Sequence, residues 1–219
     1  MAATNLSRSL NPRKALIFRI THRDNLPWLL ANGLHCRSAV EQDPGFVTIG
    51  NRDLIGRRAT REVPTPPGGT LSDYAPFYFT PASPMLLNIV TGRGVPIQHK
   101  EDILVLVCSL PRLQDMGVAF VFTDRHAYLP LARFSNQLED LPAFIPWSLL
   151  QAQDFSRDPE DPEKAERYQA EALVHHYLPA SALLGIGTYT DDINAAVTAQ
   201  VAAHGLHLKV VTRPNWFFP

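Results

Sequence analysis

Val63-Pro-Thr-Pro-Pro-Gly-Gly-Thr-Leu-Ser-Asp-Tyr-Ala-Pro-Phe-Tyr-Phe-Thr-Pro-Ala-Ser-Pro-Met-Leu86 passes from loop to strand to helix in one stretch. Residues 64–69 read as loop, because proline has no N–H to donate and glycine favours turns. Residues 75–80 are rich in aromatics and read as a strand, with Phe77 and Phe79 toward the core and Tyr78 facing the other way. Ser83 caps a helix to Val90, and Pro84 sits in its first turn, where the missing N–H costs nothing. Upstream lie a strand at 16–20, a helix at 25–31 capped by Thr21 or Asp24, and a long irregular connection at 35–69. That connection carries Arg52, Arg57, Arg58 and Arg61 and holds a short helix near 51–59. Downstream, strands are expected at 103–108 and 118–122 with a short helix at 111–116 between them. A helix follows at 131–141, a loop at 142–161 and a helix at 162–169. Strands at 171–178, 183–188 and 206–212 complete the chain, with a helix to Ala203 capped by Asp191 or Asp192 and stopped by Gly205. Strict strand–helix alternation is absent, so the pattern favours an α+β fold over a doubly wound parallel sheet. No glycine-rich dinucleotide or P-loop motif is present.

The 219 residues suit a single domain, and 45% hydrophobic with 19% charged residues exclude a disordered tail. No apolar run is long enough to span a membrane. Residues 1–14 lack the apolar core of a secretory signal and read as a flexible N-terminus. Cys36 and Cys108 provide neither a disulfide framework nor a four-ligand zinc site, which fits a cytoplasmic setting. The net charge of −1 hides an asymmetry. Residues 1–62 hold ten basic and five acidic side chains, and residues 139–171 hold nine acids against three bases. The basic half points modestly to an anionic ligand, or else to a solvated surface.

Several residues can carry chemistry. Glu171 opens an apolar strand, where sites form at sheet edges; a surface glutamate at a helix end is the competing reading. The Arg57-Arg58 pair offers forked donors for carboxylate or phosphate, against a surface pair. Thr123-Asp124-Arg125-His126 ends an apolar strand, with Asp124 read as a turn former. His175-His176 are strand neighbours that should point to opposite faces, and His204 with His207 spans a helix stop, so no metal site is expected.

In order, Phe18-Arg-Ile-Thr-His, Gly56-Arg-Arg, the Val63–Leu86 block, Phe120-Val-Phe-Thr-Asp-Arg-His and Gln169-Ala-Glu resemble the DarT toxins. These are bacterial DNA ADP-ribosyltransferases of DarT–DarG toxin–antitoxin pairs. The resemblance runs from about residue 15 to the terminal Trp216-Phe-Phe. It implies a PARP-like ADP-ribosyltransferase fold, with a bent β core, surrounding helices and an NAD cleft, over residues 15–219. It implies NAD as co-substrate, no metal, and transfer of ADP-ribose to a base of single-stranded DNA, thymidine in the branch resembled. Glu171 matches the catalytic glutamate and Arg58 the arginine beside the acceptor base. Phe18, Arg19 and Ile20 match the segment holding nicotinamide, where the family often has His in place of Arg19. Leu54 lies in an NAD-covering element at 35–62. Tyr78, Arg125 and His126 border the cleft, and residues 125–170 correspond to the substrate-recognition loop. From that loop Arg133, Asn136, Trp147 and Ser148 are expected to face DNA, with its acids turned to solvent. A macrodomain antitoxin of the DarG type is the implied partner, and a monomer the default state. The alternatives keep the fold but change the acceptor to guanosine, RNA, protein or water, or reduce the chain to a non-catalytic binding module.

Overall fold

The structure is a computed structural model that describes residues 6–156 and 158–218. Chain order is β1 (Leu16–His22), α1 (Leu26–Asn32), β2 (Leu34–His35), α2 (Arg52–Arg58), β3 (Tyr74–Tyr78) and α3 (Pro84–Thr91). Then come β4 (Ile103–Ser109), α4 (Leu110–Asp115), β5 (Phe120–Thr123), β6 (Phe134–Ser135), α5 (Leu141–Phe144) and α6 (Trp147–Ala152). The last elements are α7 (Lys164–Arg167), β7 (Glu171–His175), β8 (Tyr177–Leu178), β9 (Gly185–Thr188), α8 (Asp191–Ala203) and β10 (Lys209–Thr212). Eight strands form one mixed sheet in the order β10-β9-β4-β1-β3-β7-β5-β6, and β2 pairs with β8 separately. Only β9 and β10 run parallel, as the intervening α8 allows.

Between β9 and β1 runs β4, Ile-Leu-Val-Leu-Val-Cys-Ser, buried along nearly its whole length. It pairs with β1 at all seven positions from Leu16–Ser109 to His22–Ile103. On its other side β1 meets β3 at one registered pair, Phe18 with Tyr78. Beyond that rung the two strands part, and the sheet opens. Phe77 and Phe79 are fully buried, as the alternation requires. Phe79 packs edge-on to Phe122 and Trp147, contacts of about 0.5–1.5 kcal/mol each beyond their buried area.

Several expectations need correction. Residues 6–14 are not a detached arm: Leu6 and Leu10 are buried in the core, and Gln151 Nε2 donates to Leu10 O. Residues 1–5 lie outside the described residues. Residues 131–141 form β6 and a short 3₁₀ turn rather than a helix. There Arg133 N–H donates to Asp124, and β6 pairs with the β5 edge. The loop expected at 142–161 contains α5 and α6; its prolines occupy helix starts, Pro142 in the first turn of α5 and Pro146 as the cap of α6. The strand expected at 171–178 breaks at His176, whose φ of 54° ends β7 and diverts the chain into β8. The kink brings the His175 and His176 rings to 3.7 Å, so they do not point apart. Thr190, not Asp191 or Asp192, caps α8.

Gly185 in β9 lies so close to β10 that a Cβ would strike the Lys209 carbonyl. Because the obstacle is backbone, Gly185→Ala is expected to cost about 1–3 kcal/mol. Thermal unfolding followed by circular dichroism should show Tm lowered by roughly 3–10 °C.

Candidate active site

Glu171 is the first residue of β7, and its backbone pairs across to Tyr78 of β3, which pairs in turn with Phe18. The site therefore sits on one transverse line of the sheet, where β1 and β3 separate. Glu171 is completely buried. Arg58, in the last turn of α2, reaches it with both arms of its fork: Nη1 to Oε1 at 2.8 Å and Nη2 to Oε2 at 2.6 Å. Ala127 N–H adds a third bond to Oε1 at 3.0 Å, and His126 Nδ1 stands 3.5 Å from the same oxygen. Burial alone would raise the Glu171 carboxyl pKa. The Arg58 charge, with His126 and these hydrogen bonds, outweighs it and holds the group below its ordinary value. Arg58 is affected in reverse: burial opposes its charge, the carboxylate more than compensates, and its pKa rises. Burial lowers the His126 pKa despite the neighbouring Glu171.

A cavity of about 590 Å³ opens in front of this pair, within the size range of cofactor sites. Its wall includes Arg19, Ile20, Leu54, Arg58, Tyr78 and His126. Glu171 lies behind the Arg58 guanidinium. Burial, with a smaller push from the Arg58 charge, lowers the Arg19 pKa to about 10, so Arg19 stays cationic at neutral pH. Its Nη1 donates to Pro76 O at 2.7 Å. The cavity is roofed by residues 36–58. Buried Asn25 fixes that roof, accepting from Val47 N–H at 2.7 Å and donating to Val47 O at 2.9 Å. Asn51 caps α2 by accepting from Leu54 N–H, and no residue of α2 is buried.

The remaining sequence candidates divide. The Phe18 side chain is in the core, edge-on to Trp216, and only its backbone belongs to the site. Arg125 is engaged with Glu163 at 3.1 Å, Glu166 at 3.5 Å and Asp124 at 3.6 Å. Arg133 pairs with Asp124 at 2.8 Å and lies over the Phe144 ring, though it remains largely exposed. Trp147 does not face outward: it is 8% exposed, and its Nε1–H donates to Leu141 O. The indole fills the core beside Phe79, which is why an apparent surface aromatic is unavailable to a ligand here. Asn136 is half-buried and bonds Pro66 O, and Ser148 is exposed. Sequence reasoning had Thr123 in view without its role and missed the Ala127 N–H; both are bonded to Glu171. The polar run after β5 was a signal for them, but their roles depend on the turn it makes. Among the described residues, no group of three or more His, Cys, Asp or Glu is placed to hold a metal. No helix there is long and apolar enough to cross a membrane.

The family model described as ssDNA thymidine ADP-ribosyltransferase, DarT, matches residues 18–218. The chain belongs to the DarT family. It is 48% identical over 217 residues to a DNA ADP-ribosyl transferase of Escherichia coli O127:H6, covering 99% of each chain. Its fold is similar to Thermus sp. 2.9 DarT in complex with ADP-ribosylated ssDNA, with a TM-score of 0.85 and 35% identity over 94% of this chain and 98% of the other. The same Thermus protein in complex with NAD+ superposes with a TM-score of 0.81 at 36% identity, over 94% and 99% of the two chains. The sheet and flanking helices are thus those of an α+β ADP-ribosyltransferase.

Removing Arg58 strands a buried carboxylate. Arg58→Ala is expected to destabilise the fold by about 2–3 kcal/mol at pH 7, at the low end for a broken buried pair because the cleft can admit water. Without the guanidinium, burial loses its main opponent and the Glu171 pKa moves up, so the variant relieves the penalty by taking up a proton as pH falls. Urea melts of both proteins at pH 7 and pH 4 should show the difference shrinking at the lower pH.

Proposed function

We propose that this protein transfers ADP-ribose from NAD to a thymidine base of single-stranded DNA, with Glu171 and Arg58 as its catalytic pair. One observation carries the assignment of residues: a buried, ionised glutamate held by an arginine at the inner end of a cavity, in a chain of the DarT family. Family membership supports the reaction, as do the NAD+ and ADP-ribosylated ssDNA complexes of the Thermus relative.

The chemistry explains the pair. Cleaving the bond between nicotinamide and ribose builds oxocarbenium character on the sugar. A carboxylate kept ionised beside the ribose hydroxyls stabilises that charge as it develops. The base nitrogen then bonds to the anomeric carbon, nicotinamide departs with the bonding pair, and the ring proton of the base is released to solvent water. Arg58 has its pKa raised further by Glu171, which makes it a poor proton acceptor. Its role in this reading is to stabilise the deprotonated base. For Glu171 to meet the ribose, the guanidinium must first swing away from it.

The nicotinamide carboxamide would pair with β1 beyond the Phe18 rung, at Arg19 and Ile20, whose registered partners lie on β4 alone. Residues 35–62, including Leu54, would cover the dinucleotide, and Tyr78 and His126 would flank the ribose. Residues 125–170 would present the DNA. In this reading the protein works in the cytoplasm as a toxin, and a macrodomain antitoxin of the DarG type would remove the mark.

The test is mass spectrometry of mixed-sequence single-stranded DNA incubated with the protein and NAD. One ADP-ribose on thymidine is expected, reduced at least ~100-fold by Glu171→Gln and by Arg58→Ala. Free nicotinamide without a DNA adduct would redirect the assignment to NAD hydrolysis or another acceptor.

A further inference from the structure

The β5–β7 ladder runs through Phe120–Val174, Val121–Leu173 and Phe122–Ala172, then stops one residue short of Glu171. On its other edge β5 continues one pair further, Thr123 with Phe134 of β6, but toward β7 Thr123 has no registered partner. The Glu171 N–H, fully buried, instead donates to the Thr123 hydroxyl at 3.2 Å. That hydroxyl in turn donates a hydrogen bond to Arg125 O at 2.6 Å. The turn so fixed runs directly through His126 to Ala127, whose N–H donates to Glu171 Oε1. Thr123 is itself completely buried.

We infer that Thr123 is a positioning residue for Glu171, fixing the glutamate through its backbone N–H and, by way of the 125–127 turn, through its carboxylate. This rests on the proposed catalytic role of Glu171. Two contacts follow from one hydroxyl. As acceptor it satisfies a main-chain donor that the diverging strands leave without a ladder partner. As donor it holds the Arg125 carbonyl, and so the aim of the Ala127 N–H. Valine has nearly the same shape and can do neither, whereas serine keeps both bonds. A carboxylate loosened in this way still sits behind Arg58 and in front of the same cavity. NAD binding is then retained and the chemical step suffers, since small misplacements of a catalytic group are costly in rate.

The experiment compares wild type, Thr123→Val, Thr123→Ala and Thr123→Ser for transfer to single-stranded DNA, and for amide hydrogen exchange at Glu171 and Ala127 in the free proteins. The valine and alanine variants are expected to lose ~10- to 100-fold in kcat, with KM for NAD within about twofold of wild type. Both amides should exchange faster in them. Serine is expected to restore kcat to within about threefold, and to restore slow exchange. Alanine adds no bulk, so the comparison holds if the valine protein fails to fold. Wild-type kcat and unaltered Ala127 exchange in the alanine variant would overturn the inference, as would a serine variant as impaired as alanine. A wild-type protein that leaves DNA unmodified would count against the proposed function alone, because the exchange measurements still decide the part played by Thr123.

Discussion

A carboxylate with no solvent contact keeps its charge only if the protein supplies what water would have supplied. At Glu171 that requirement is met by two guanidinium N–H groups from Arg58, one backbone N–H from Ala127 and a nearby imidazole from His126. These groups come from α2 and from the turn after β5. The turn is also seated by Ala127, fully buried among Val63, Leu71, Tyr74, Val121 and Leu173, whereas α2 has no such anchor. The helix α2 buries none of its residues. Its attachment to the sheet depends on the ion pair at its last turn. The outer part of the same roof is fixed by a neutral device, the Asn25–Val47 double hydrogen bond. The cavity roof is thus anchored at one end by amide bonding and at the other by charge. The charged end is the one a competing ligand can release.

The sheet provides the space as well as the glutamate. Seven pairs between β1 and β4 make a rigid floor, while the single Phe18–Tyr78 pair lets β1 and β3 splay apart. Parting strands leave backbone donors and acceptors without ladder partners, and such groups need others. On the β7 side a threonine hydroxyl fills the need. On the β1 side Arg19 reaches across to Pro76 O. The cleft is therefore a place where the ladder stops and side chains take over, and this is where a dinucleotide can find main-chain partners.

Strands such as 103–108 were legible because they are continuously apolar, and Ser83-Pro84 marked a helix start that the structure contains. The sequence also placed Phe77 and Phe79 inside and Tyr78 opposite, because period two leaves no other choice. Where reading failed, long-range partners had decided. Residues 131–141 have helical composition, yet Asp124 and the β5 edge draw them into β6 and a turn. Trp147 looked like a surface aromatic because its prolines suggested loop, but those prolines start helices and turn the indole inward. Arg58 and Glu171 are 113 residues apart in sequence, and no local pattern joins them. Family resemblance singled out each of them separately, and only the fold shows that they pair. The hydroxyl of Thr123 shows the opposite limit: the residue was in view, but its role follows from a register that stops one pair early.

The charge asymmetry along the chain acquires a physical meaning from the ion pairs. Four of the nine acids at 139–171 are paired with the stretch's own cations or with that of the preceding turn. Lys164 pairs with Asp154, Arg167 with Asp161, and Arg125 with Glu163 and Glu166. Such pairs hold a segment in shape more than they stabilise it, since exposed pairs contribute little. They also leave few cations there to meet a phosphate. In the basic first third, Arg37, Arg52 and Arg57 are exposed, and among the described residues their side chains form no ion pair. Arg37 and Arg52 stand on the cavity wall. A polyanion approaching this protein is therefore drawn electrostatically to the roof of the cleft. The 125–170 segment, with eight acids against five Arg and Lys, offers no such attraction.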